Sequence, residues 1–399
     1  MKLRMMTLAT AAALAAGSGG RALAAEEVVI GDIDDMSGVY ADVMGAAGVE
    51  VVRWAVADFG GTVLGKKITV LSADHQNKPD IGAAKFREWA DQSGLNMLLG
   101  GSNTGVNIAM AKVAAAKKVP LFNIGPGGAS LTNEDCTAYS VHYTYDTVAL
   151  ANGTATAIVN AGGKSWFYLT ADYAFGTQLQ AAASKVVEGN GGKNLGAVRV
   201  PLGAADFSSF LLQAQASGAQ VLGLANAGTD FSNSLKAANE FGVTKTMKPA
   251  ALLAFITDIN SLGLPAAQGL YLTTAWYWDL SPETRAFGKR FFAQFNREPT
   301  MDQAGAYSAT LTYLKAVKAV GSTDPDKVMA ELKKAKINDM FTKGGYIRAD
   351  GAMIHDMYVM QVKTPKESKY PWDYYRVVKK MSGAEAFGPI TGLCPLAPK

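Results

Sequence analysis

The stretch 96–130 reads NMLLGGSNTGVNIAMAKVAAAKKVPLFNIGPGGAS, and it decides the fold class. A short apolar run, 97–99, breaks into the polar, glycine-rich loop Gly100-Gly101-Ser102-Asn103-Thr104-Gly105. Apolar residues then recur at Val106, Ile108, Ala109, Val113 and Ala114, a helical pattern. A second apolar run, 119–124, ends in another glycine-rich loop, Gly125-Pro126-Gly127-Gly128-Ala129-Ser130. Strand, loop, helix, strand, loop at this crossover length is a parallel βαβ unit. Both loops leave the carboxyl ends of neighbouring parallel strands, where open α/β sheets bind ligands. Neither loop carries a charge. They offer backbone N–H groups, the hydroxyls of Ser102, Thr104 and Ser130, and the amide of Asn103. That inventory suits a small anion such as a carboxylate.

The same rhythm extends in both directions. An apolar strand at 28–33 runs into the loop Asp34-Asp35-Met36-Ser37-Gly38-Val39-Tyr40, and Gly60-Gly61 stops the helix that follows. Beyond Cys136 the alternating segment 140–147 leads into a second strand–helix series, with strands at 165–170, 196–200, 221–225 and 249–255. This series has its own core and forms a second lobe. The expected fold is therefore α/β, with two doubly wound parallel-sheet lobes. Later helices are expected at 304–320 and 326–336. The run Ala275-Trp276-Tyr277-Trp278 follows a strand at 269–274. If it continues that strand, Trp276 and Trp278 point one way and Tyr277 the other.

The N-terminus indicates export. Lys2 and Arg4 precede an apolar, alanine-rich run, and Ala22-Leu23-Ala24 has the small-x-small form of a cleavage site. Residues 1–24 read as a signal peptide and leave a mature chain from near Ala25. The export places the protein in the periplasm. No cysteine follows the apolar run, so a lipid anchor is not expected. Removing Lys2, Arg4 and Arg21 lowers the formal charge from +4 to +1. No basic stripe suggests nucleic acid. Two cysteines, Cys136 and Cys394, suit a disulfide in an exported protein, the alternative being two unpaired buried thiols. With three scattered histidines they give no metal-ligand spacing, and neither a metal nor a cofactor is expected. The run Gly60-Gly61-Thr62-Val63-Leu64-Gly65-Lys66-Lys67 imitates a phosphate-binding loop. It lacks the following Ser or Thr and joins a helix to a strand, so it is a turn.

In order and spacing these motifs resemble type I periplasmic solute-binding proteins, the leucine/isoleucine/valine-binding branch that serves ABC importers. The resemblance rests on the exported precursor, Met36-Ser37-Gly38 after the first strand, the turn at Leu64-Gly65-Lys66-Lys67, the Ser102-Asn103-Thr104 loop and Ala171-Asp172-Tyr173-Ala174-Phe175-Gly176. The cysteine pair, the segment 142–147 and the long tail are similar to a subgroup linked to aromatic-acid uptake. The resemblance implies a hinge of three crossings, near 144–147, 272–276 and 352–357. It divides the chain into lobe 1 (25–145 and 275–354), lobe 2 (146–274 and 355–382) and a tail (383–399) tied back by Cys136–Cys394. It also implies a monomer that captures a small molecule, does no chemistry, and meets the membrane subunits of a permease.

By that resemblance Ser102, Asn103, Thr104, Gly128, Ala129 and Ser130 hold a ligand carboxylate, although Ser and Asn equally suit helix capping. Tyr173 and Phe175 cover the ligand or pack the loop. Tyr40 is a candidate for the rim. Trp276, Tyr277, Trp278 and Tyr307 either line the cleft or pack under the hinge. Amino-acid-binding relatives place an acid at the end of the strand matching 249–255, where it pairs with the ligand ammonium. Here that strand ends in Ala254 and Phe255, with Asp258 too late. Asp230 is read as a helix N-cap. A hydrophobic or aromatic acid without an α-amino group is the expected ligand. Branched-chain amino-acid binding and a sensing receptor of the same fold are the alternatives.

Overall fold

The computed structural model describes residues 27–397; the expected signal peptide and the expected mature start near Ala25 lie outside the described residues. The first sheet has six strands, in the order Thr62–Val63, Lys66–Asp74, Glu27–Asp34, Leu95–Gly100, Leu121–Asn123 and Ser140–His142. All its pairings are parallel except the edge hairpin. Leu95–Gly100, helix Thr104–Lys117 and Leu121–Asn123 are the βαβ unit expected from 96–130. The central strand Glu27–Asp34 is buried at every residue but the first, as a strand covered on both faces must be.

The second sheet is wholly parallel, in the order Lys248–Ala251, Val221–Ala225, Ser165–Ala171, Lys193–Val200. An antiparallel group, Tyr271–Thr274, Met357–Val362 and Tyr375–Met381, follows it in the fold. A small antiparallel sheet of Lys336–Asn338, Lys343–Ile347 and Met353–Ile354 completes the set, and the bridge between His142 and Ala352 joins it to the edge of the first sheet. The chain leaves the first sheet after His142 and returns after Thr274 to helix Met301–Val320, which packs on helix Gly45–Phe59. It leaves again after Ile354. Cys136 and Cys394 form a disulfide that anchors the tail 258 residues away.

Four expectations change. The strand expected at 249–255 spans Lys248–Ala251, so 252–255 is free to run toward the other lobe. The helix expected at 326–336 ends at Leu332, and Lys336 begins a strand. Residues 275–280 are not a strand. The Tyr277 hydroxyl and the Trp278 indole N–H both donate to the Trp372 carbonyl, each at 3.1 Å, so these side chains converge instead of alternating. Asp230 is the third residue of helix Gly228–Glu240 and not its cap; its carboxylate accepts from Gly203 N at 2.9 Å.

Candidate functional site

The first wall of the cleft is built where three strands of the first sheet end. Glu27–Asp34 delivers the buried carboxylate of Asp34, which accepts from the backbone N–H of Asp35, Ser102 and Gly45 at 2.7, 2.7 and 2.9 Å. That contact requires glycine at 101, where a Cβ would sit 2.0 Å from the Asp34 carboxyl. Asn103 turns the chain at φ +86°, a strained conformation for a non-glycine residue. Its side chain accepts from Val106 N at 3.1 Å and so caps helix Thr104–Lys117. The first N–H groups of that helix have no intrahelical acceptor and carry the positive end of its dipole. The Thr104 hydroxyl accepts from Gly128 N at 3.0 Å, tying the two loops together. Ser102 is 3% exposed and its hydroxyl has no partner.

The opposite wall comes from the second sheet. Tyr173 and Phe175 open helix Ala174–Gly189, their rings 5.9 Å apart. Ala227, Leu253 and Phe255 complete it. Between the walls lies a small pocket, also lined by Tyr40, Val43, Ser102, Asn103, Thr104, Gly125, Gly127 and Tyr145. None of these lining residues is charged. Interlobe hydrogen bonds close it. The hydroxyls of Tyr40 and Tyr173 meet at 2.6 Å. Ser130 N donates to Gln178 Oε1 at 3.0 Å, and Gln178 Nε2 donates to Ser130 Oγ at 3.1 Å. Thr229 N donates to Val39 O at 3.1 Å. Burial raises the phenols of Tyr40, Tyr145 and Tyr173 above their ordinary range, so all three are neutral.

Other residues singled out in the sequence lie elsewhere. Gly128, Ala129 and Ser130 open a short 3₁₀ turn behind the pocket. Gly128 packs against Thr104, Ala129 O accepts from Asn133 Nδ2 at 2.9 Å, and Ser130 latches the lobes. From this loop it is Gly125 and Gly127 that face the pocket. Trp276 and Tyr277 line an adjoining cavity, with Phe255 in the wall between. Tyr307 packs on Phe287 and donates to Asp58 Oδ2 at 2.8 Å. Asp258 accepts from Phe255 N at 2.8 Å at the start of helix Ile256–Leu262 and does not enter the pocket.

Sequence pattern did not single out Val43, Gly125, Gly127, Tyr145, Ala227 or Leu253 as lining residues. The alternation through Tyr143-Thr144-Tyr145 could have pointed to Tyr145. The glycines gave no side-chain signal. Among the described residues no group of acids, histidines and cysteines could hold a metal ion, and no helix is long and apolar enough to cross a membrane.

Two α/β lobes closed over a buried, uncharged pocket define a solute-binding receptor. The sequence matches the periplasmic binding protein family over residues 27–369, and the chain belongs to that family. It is similar to a crystallised periplasmic binding protein of Burkholderia mallei, at 58% identity and a TM-score of 0.92, over 94% of this chain and 100% of that one. A branched chain amino acid ABC transporter periplasmic ligand-binding protein from Burkholderia xenovorans is 39% identical with a TM-score of 0.80, over 91% of this chain and 97% of its own. A Leu/Ile/Val-binding protein homolog of Brucella abortus is 24% identical, over 74% of this chain and 77% of its own. The protein is thus a periplasmic binding protein of the ABC-transporter type, a solute binder and not an enzyme.

Proposed function

We propose that the cleft captures a small aromatic carboxylic acid that lacks an α-amino group, for delivery to the membrane subunits of an importer. One observation carries this reading. The pocket offers the unpartnered Ser102 hydroxyl and the start of helix Thr104–Lys117, yet its lining contains no acid. A carboxylate finds donors there, whereas a buried ammonium would find no counter-charge and would cost several kcal/mol. Ser102, Thr104 and the helix N–H groups hold the carboxylate. Phe175 and Phe255 sandwich the body of the ligand, with Leu253 and Tyr173 beside them. Hinge closure excludes water, and the Tyr40–Tyr173 and Ser130–Gln178 contacts hold the closed state. Lobes exchanging near 145, 274 and 354 provide the hinge.

The names of two relatives favour a second reading, a branched-chain amino acid. Calorimetric titration with benzoate and with leucine decides between them. Heat and saturation with benzoate and none with leucine support the first reading; tight leucine binding with no benzoate heat overturns it.

A further inference from the structure

We propose that Asp302 is a positioning and specificity residue of the carboxylate site: as a neutral acid it donates to Ser102 Oγ, which donates in turn to the ligand. The inference rests on the acid reading above and deepens it. Asp302 is the second residue of helix Met301–Val320 and is fully buried; neither carboxyl oxygen receives a hydrogen bond, since the neighbouring Tyr145 hydroxyl, which bears on this carboxyl, gives its proton to Gly125 O. Its carboxyl lies behind Gly125 and is not itself part of the pocket lining. The point where a side chain on Gly125 would begin lies 2.9 Å from Asp302 Oδ2 and 3.1 Å from both the N and the Oγ of Ser102. Two unpartnered oxygens, those of Asp302 and Ser102, thus flank one small gap, and glycine at 125 keeps the gap open. Buried polar atoms are seldom left without partners, and two side by side, one of them lining the ligand pocket, point to a chain completed by the ligand.

The surroundings fix the protonation state. From strand Glu27–Asp34, Asp34 faces Asp302; burial raises its carboxyl, and three backbone N–H donors act against that rise. Asp32, also fully buried and unpartnered, lies on the same strand. From segment 143–146 the Tyr145 hydroxyl faces the site and donates to Gly125 O at 2.7 Å. The His75 Nδ1 accepts from Asn77 N at 3.0 Å, so its Nε2–H is the donor to Ser102 O at 2.8 Å; the ring offers Asp302 nothing. Arg53 acts on Asp32. Among the described residues no cation acts on Asp302. Burial first, and then the Asp34 charge, hold its carboxyl well above the usual carboxylate range.

An ionised Asp302 would set two negative charges against the incoming carboxylate. A protonated one gives Ser102 a donor on one side and frees the serine O–H for the ligand on the other. When the lobes open and water reaches the cleft, Asp302 releases its proton more readily. Binding and closure then take a proton up, and the affinity for a carboxylate falls as pH rises through the ionisation of Asp302 in the open protein.

The experiment is calorimetric titration of benzoate from pH 5.5 to 8.5, in pairs of buffers that differ in ionisation enthalpy, on the wild type, Asp302→Asn and Asp302→Leu. The wild type is expected to take up a proton on binding and to lose up to tenfold in affinity per pH unit toward the alkaline end. Asp302→Asn is expected to keep the affinity measured at pH 5.5 within a few-fold and to show no slope. Asp302→Leu is expected to show no slope either, and to bind at least tenfold more weakly than Asp302→Asn at every pH. A wild type with flat affinity and no proton uptake overturns the proposal, as does a wild-type slope in Asp302→Asn. If benzoate binds without proton linkage, only this proposal falls. If benzoate gives no heat at any pH while leucine does, the acid reading falls with it.

Discussion

The two walls of the cleft are built on opposite plans. The first carries the polar donors, on two glycine-rich loops, a helix start and one free hydroxyl, beside the side chains of Tyr40, Val43 and Tyr145 and with a buried acid behind it. The second is made of side chains, chiefly the rings of Tyr173 and Phe175 and the apolar Leu253 and Phe255. Under the proposed function the first wall recognises a functional group and the second recognises a shape. Replacing a residue in the first should weaken every carboxylate alike. Replacing one in the second should reorder the preferences among them.

The largest effect is expected at Ser102. Ser102→Ala removes a hydroxyl that bonds a charged group, worth about 1.5–3 kcal/mol, so benzoate and aliphatic acids should each bind about 10- to 150-fold more weakly. A loss confined to one ligand, read by calorimetry, would break the division between the walls. Phe255→Leu keeps the wall apolar and removes a ring face, worth about 0.5–1.5 kcal/mol. It should cost aromatic acids a few-fold to about tenfold in affinity and leave aliphatic acids unchanged. Tyr40→Phe deletes the 2.6 Å hydroxyl contact that joins the walls. It should shift the equilibrium toward the open form by about 1 kcal/mol and weaken all ligands about fivefold, with a larger radius of gyration for the unliganded protein by small-angle scattering.

The smallest effect concerns stability and not recognition. Burial raises Asp258 and Glu298 to about 7 and Asp146 to about 6. A carboxyl raised in the folded state stabilises below its unfolded value, and that stability is lost as pH rises through the folded value. Burial lowers His142 to about 4, which works in the opposite sense below pH 6.5. The acids outnumber the histidines, so the melting temperature should be higher at pH 5.5 than at pH 8. Glu298 Oε2 has no partner, and Glu298→Gln should reduce that difference.

How far each wall was legible follows from the same contrast. The βαβ unit around 96–130 was plain, because apolar runs and glycine loops alternate with the period of the fold. The loop at Ser102 was plain as well, since its chemistry lies in contiguous residues. In the second loop the expectation falls on Gly128, Ala129 and Ser130, the residues next to the following turn. It is Gly125 and Gly127 that form the wall, and they carry no side chain to signal it. A Cβ on Gly127 would lie 2.8 Å from the Phe175 ring, a constraint set by the other lobe. Tyr145, Leu253 and Asp302 reach the site only through tertiary packing. A lone Asp near a helix start reads as an exposed first-turn acid, and nothing local reveals that it is buried. Continuing the strand at 269–274 through Trp276–Trp278 would alternate those side chains, yet hydrogen bonds to the distant Trp372 carbonyl turn Tyr277 and Trp278 the same way.

The most direct test of the division is a pair of ligands that differ by one group. Phenylacetate and phenylglycine share a carboxylate and a ring, and only the second carries an α-ammonium. The lining of the cleft has no acid to receive that charge, and an unpaired buried ammonium costs several kcal/mol. Isothermal calorimetry at pH 7 should find phenylacetate bound at least about 100-fold more tightly than phenylglycine. Equal or tighter binding of phenylglycine would contradict the account.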